Sequence, residues 1–168
     1  MLDRLVMLTA LSIHALVFSG FFENIIFLSA ISSWFFAQLI KAIIVLLDNR
    51  KKSMREIMVT FIWRTGGMPS SHAALVSGMT TAVAFSEGVD SNLFIVSFFI
   101  ALIIMRDAMG VRRSSGIQGK TLNVLGRKMA ERLAIEFHPI KEVQGHTPLE
   151  VILGALLGIF IATALANL

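Results

Sequence analysis

The sequence predicts an all-α protein: a polytopic membrane helical bundle of about five spans, with a functional site at the cytoplasmic ends of its helices. Three observations lead there. Hydrophobic residues fill 55% of the 168 positions and charged residues only 15%, with a mean hydropathy of +0.76; a soluble domain carries about a quarter charged residues. Apolar runs of span length recur along the chain. Lysine and arginine gather in two of the stretches between those runs. The length suits one integral membrane domain over residues 1–168.

Residues 5–22 are apolar with one histidine, His14. They read as an extra N-terminal span, an interfacial helix or an uncleaved signal segment; no convincing small-residue cleavage pattern is present, which favours the span. Ile25–Leu47 is a firmer span, interrupted by Gln38 and Lys41. Residues 48–55 form a basic loop, and residues 56–63 are apolar but too short to cross. A helix is expected over 70–85, with Pro69 in its first turn; its small residues, among them Ala73, Ala74, Ser77, Gly78 and Ala82, suit an interior helix that packs closely. Residues 87–90 make a turn, and 93–105 form an apolar span ending at Arg106-Asp107. Residues 108–144 are a polar, basic cytoplasmic segment. There Gly116, Gly119 and Gly126 are expected to break any long helix, leaving 121–137 as an amphipathic surface helix. Residues 148–166 form the last span.

The positive-inside rule places the 50–55 loop and the 106–141 stretch in the cytoplasm and the turns at Glu23 and 87–90 outside. With five crossings the N-terminus is inside and the C-terminus outside. The net charge of +4 then reflects topology and contact with anionic lipid rather than nucleic acid, because the basic residues alternate with spans. Cysteine is absent, which excludes disulfides, zinc–thiolate sites and a cysteine nucleophile.

Two histidine strings fall on the same, cytoplasmic side: Gly66-Gly67-Met68-Pro69-Ser70-Ser71-His72 and Gly145-His146-Thr147-Pro148-Leu149-Glu150. Each opens an apolar helix, and a helix N-terminus has unpaired N–H groups and a positive dipole end that suit an anion. Ser70 and Ser71 offer a cap or hydroxyl donors, and the glycine pair allows close backbone approach. His72 reads as an acid–base group or as a hydrogen-bonded structural histidine. Thr147-Pro148-Leu149-Glu150 is a capping box, so Glu150 reads as a reciprocal cap or as the carboxylate that orients His146, its two oxygens able to serve both. Lys41 points into an interior polar site with Gln38, or snorkels to the interface. Arg64, Arg106, Arg112 and Arg113 supply phosphate-matching forks or plain positive-inside charge, and Asp107 orients an arginine or pairs with Arg106.

These residues resemble the type 2 phosphatidic acid phosphatase superfamily, whose motifs are Lys-x6-Arg-Pro, Pro-Ser-Gly-His and Ser-Arg-x5-His-x3-Asp. Pro69-Ser70-Ser71-His72 resembles the second, and His146 with Glu150 the end of the third, with Glu for Asp. From Phe36 onward the chain is similar to a divergent branch of that superfamily, related to acid phosphatases and vanadium-dependent haloperoxidases; the similar stretches are 36–41, 66–72, 107–112 and 145–151. The first motif is incomplete, since Asp48 stands seven residues after Lys41, and Ile140 stands where the third motif has its arginine.

The resemblance implies a membrane hydrolase acting on a phosphate monoester or pyrophosphate of a lipid. His146 is the implied nucleophile, Glu150 its orienting carboxylate, and His72 the acid and then the base. Lys41, Arg64, Ser70, Ser71, Arg112 and Arg113 are the implied phosphate ligands, with Asp107 orienting an arginine and Lys141 a further substitute for the missing one. It implies no metal and no cofactor. Expected partners are the phosphorylated lipid substrate, membrane lipids and a second copy of the chain, and the expected location is the inner or plasma membrane of a bacterium. The competing reading is a non-enzymatic binder or transporter of phosphorylated lipid; an ion or solute transporter built on Lys41 is the weaker rival.

Overall fold

The computed structural model describes residues 20–47, 67–143 and 145–168. Most of the candidate first span, the basic loop, the 56–63 stretch, Arg64 and Gly66 lie outside the described residues. The described chain is all-helical: α1 (Ile25–Leu47), α2 (Ser71–Glu87), α3 (Asn92–Met109), α4 (Val111–Leu133) and α5 (Pro148–Ala166). Among the described residues, three helical stretches, Ile25–Leu47, Asn92–Leu133 and Pro148–Ala166, each hold an 18-residue window long and apolar enough to cross a membrane, of mean hydropathy 1.9, 2.0 and 2.3.

Helix α2 packs against α1, α3 and α5 and forms the middle of the bundle. Its sequence explains why. A Cβ at Gly78 would strike Ser33 and the Ser29 backbone of α1, and one at Gly158 of α5 would strike the backbone of Ala74 and Gly78. A Cβ at Gly154 would strike the Ser70 backbone just before α2. The close approach leaves a core of small residues: Ala37, Ala73, Ala74, Ala82 and Ala162 are sealed, and the largest fully buried side chains are Ser29, Ser33 and Ser70. Large apolar side chains point outward instead; Phe160 is 72% exposed and Phe99 57%. In water this arrangement would be unstable, because burial of large apolar surface is the main driving force. In a bilayer it is the expected one, since lipid covers the outside and small residues allow helices to approach.

Helix ends carry their own signals. Ser70 caps α2, accepting from Ala73 N–H at 3.4 Å, so Pro69 sits before the cap and not in the first turn as expected. Gly88 at φ +89° ends α2, and Ser91 caps α3 by accepting from Phe94 N–H at 3.1 Å. The break between α3 and α4 is Gly110, whose N–H donates to Arg106 O at 2.8 Å.

The polar segment differs from the sequence expectation. Gly116, Gly119 and Gly126 do not break a helix; α4 runs through all three from Val111 to Leu133. The amphipathic helix therefore starts earlier and ends earlier than 121–137, and the chain from 135 onward is extended. The reason is packing. Positions 116, 119, 123 and 126 lie on one helix face, and the returning chain lies along it. A Cβ at Gly116 would strike Val143 O and one at Gly126 would strike the Phe137 ring, while a Cβ at Gly119 would come 3.7 Å from the Glu142 Cα, an ordinary contact. Glycine costs about 1 kcal/mol per helical position, and at 116 and 126 that cost is offset by a contact no side chain permits.

Candidate functional site

The extended segment after α4 has no helical hydrogen bonds of its own, so other groups must hold it. Asn123, 3% exposed in mid-helix, does so with both ends of its amide. Its Oδ1 accepts from Ile140 N–H at 2.9 Å, and its Nδ2 donates to Ile140 O at 2.9 Å and to Glu142 Oε1 at 3.0 Å. Farther along, Gly145 passes against the Arg113 backbone, where a Cβ would not fit. His146 N–H then donates to Ala108 O at 3.1 Å, at the end of α3. The histidine is thus fixed by its backbone before its ring is considered.

The ring is held as firmly. His146 is 4% exposed, and its Nδ1 lies 3.0 Å from Glu150 Oε2. An ionised carboxylate only accepts, so Nδ1 is the donor in this contact. The same Oε2 accepts Thr147 N–H at 3.0 Å, while Glu150 N–H donates to Thr147 Oγ1 at 3.4 Å. Glu150 therefore makes both the capping contact and the contact to the imidazole, and one oxygen serves both where two were expected to share them.

The second string arrives from the neighbouring helix. Ser70 N–H donates to Glu150 O at 2.9 Å, which ties the start of α2 to the first turn of α5. Gly67 has φ +84°, a backbone conformation that favours glycine, and open space around it. His72, one residue into α2, is exposed and feels the charges of Arg112, His146, Lys41 and Asp107. Lys41 is 4% exposed and its Nζ donates to Ser71 Oγ at 3.2 Å, so it points into the interior and does not snorkel. Gln38, one turn back, is also buried, and its Oε1 has no hydrogen-bond partner among the described residues. Arg112 Nε donates to Asp107 Oδ2 at 2.7 Å, so the arginine Asp107 pairs with is Arg112 and not Arg106.

Eight of the expected site residues lie around the starts of α2 and α5, the facing part of α1 and the α3–α4 junction: Lys41, Ser70, Ser71, His72, Asp107, Arg112, His146 and Glu150. Arg113 contributes its backbone to the passage of Gly145, and Arg64 lies outside the described residues. The chain matches the divergent PAP2 family over residues 22–161, a stretch that contains all eight. It belongs to that family. It is also similar to a protein of Bacillus subtilis (strain 168) named uncharacterized membrane protein YuiD, with 36% identity over 85% of this chain and 94% of that one. No solved structure matches the chain.

Within this divergent PAP2 chain, sequence reasoning missed Asn123 and the glycine face. The signal was present as Gly116-x2-Gly119-x3-Asn123-x2-Gly126, spaced at i, i+3, i+7 and i+10. That is the period of one helix face. Counting the glycines singly made them helix breakers; reading their period makes them a track.

Proposed function

We propose that this divergent PAP2 chain is a membrane phosphatase that hydrolyses a phosphate monoester or pyrophosphate of a lipid at the cytoplasmic face. The observation that carries the reading is the His146–Glu150 pair at 3.0 Å, with the imidazole buried and Nδ1 engaged by the carboxylate. An orienting carboxylate on the far nitrogen is the arrangement a nucleophilic or basic histidine needs.

The chemistry runs in two steps. His146 Nε2 attacks phosphorus, the bond to the leaving oxygen breaks, and protonated His72 donates a proton to that oxygen. The positive charge arising on the His146 ring is stabilised by Glu150. His72 then takes a proton from water; the oxygen attacks phosphorus, the P–N bond breaks, and its electron pair returns to Nε2. Lys41, Arg112 and the hydroxyls of Ser70 and Ser71 supply donors for the equatorial oxygens, where phosphoryl transfer gathers charge. Asp107 holds the Arg112 guanidinium in place at 2.7 Å.

The test is phosphate release by the purified full chain in lipid nanodiscs, against phosphatidic acid, phosphatidylglycerol phosphate and a polyprenyl pyrophosphate. Release from at least one substrate, lost in His146→Ala and blocked by vanadate, is expected. Equal release by wild type and His146→Ala contradicts the reading. Binding of these lipids without release by either protein favours the non-enzymatic binder.

A further inference from the structure

Two cavities outside the histidine site meet at one residue. The first is an apolar groove of about 480 Å³ between α3 and α5, walled by Leu102, Met105 and Met109 on one side and Val151, Ala155 and Leu156 on the other. The second is a mixed cleft of about 750 Å³ at the α3–α4 junction, lined by Gly110, Val111, Ser114, Ser115 and Gln118. Arg106 lines both. Its neighbour Asp107 is engaged by Arg112 at 2.7 Å, and no carboxylate pairs with Arg106 among the described residues. An unpaired guanidinium thus stands where a membrane-embedded groove opens into a cleft of hydroxyl and amide groups. Neither histidine lines either cavity.

We propose that the two cavities form one binding site for a phospholipid with an anionic headgroup. One acyl chain lies in the α3–α5 groove, and the phosphate sits on Arg106 with Ser114, Ser115 and Gln118 as further donors. The groove lies along spans whose surroundings are hydrocarbon, so its occupant is a chain. The cleft offers a cation and neutral polar groups, so the head it matches is anionic. The site is separate from the phosphatase reading, and its occupancy is measured without turnover.

Native mass spectrometry of the full chain in detergent, with phosphatidylglycerol or phosphatidylcholine added, tests it. Wild type should retain phosphatidylglycerol about fivefold over phosphatidylcholine, the preference one basic contact supplies. Arg106→Gln should abolish that preference and Arg106→Lys keep most of it. Lys128→Gln, a basic change on α4 outside both cavities, should leave it unchanged. Ala155→Phe, which fills the groove, should lower retention of both lipids. Equal retention of the two lipids by wild type overturns the site, as does a preference that survives Arg106→Gln. An equal loss in Lys128→Gln also overturns it, because diffuse charge would then explain the binding.

Discussion

Glu150 Oε2 accepts from the imidazole of His146 and from the N–H of Thr147, both at 3.0 Å, so substitutions there separate folding from chemistry. In Glu150→Gln the amide oxygen still accepts from Thr147, and the start of α5 is kept. The negative charge that fixes the His146 tautomer is gone. Phosphate release should fall by about 10²-fold or more, while thermal unfolding followed by circular dichroism stays near wild type. Glu150→Ala removes both roles and should also lose about 0.5–2 kcal/mol of stability. Equal activity in Glu150→Gln and wild type would leave the carboxylate as a cap alone. The sequence offered both readings of this residue but not their shared oxygen, because the four positions of the capping box lie inside the five of the His-x3-Glu spacing.

Helix α4 acts as a track for the segment that delivers His146, and Asn123 is its main fastening. In Asn123→Asp the donor to Ile140 O and Glu142 is lost and a second carboxylate faces Glu142. Turnover should fall about tenfold or more with KM little changed, because misplacing the proposed nucleophile weakens chemistry more than binding. Amide exchange around Ile140 should quicken; an Asp variant with native exchange and native kcat would rule out the positioning role. At the α2–α5 contact, Gly158→Ala sets a methyl against the backbone of α2, and overpacking of this kind costs about 1–3 kcal/mol. A lowered melting temperature in detergent is the expected outcome, and an unchanged one would mean the two helices separate freely. The cap at Thr147 and the interior role of α2 were legible in the sequence because each rests on residues within one or two turns. The unbroken α4 was not legible, since the chain that makes its glycines useful lies about 20 residues further on.

For the whole molecule, the inverted arrangement of small residues inside and large apolar ones outside follows from hydropathy and the small-residue face of α2, so the membrane bundle could be read from sequence. The site was half legible. The two histidine strings identify themselves by local chemistry, but which arginine joins them depends on how α3 meets α4, and Arg112 enters only because Asp107 holds it. The central claim is that His146 and His72 do different jobs in one reaction. It is tested most directly by a single-turnover burst with p-nitrophenyl phosphate, whose leaving group departs without an acid. His72→Ala should then release one equivalent of nitrophenolate per chain and stall, holding an acid-labile phosphoryl group on His146, because the second step lacks its base. His146→Ala should show neither burst nor label. A burst with labelled phosphate in His146→Ala, or steady turnover in His72→Ala equal to wild type, would contradict the account.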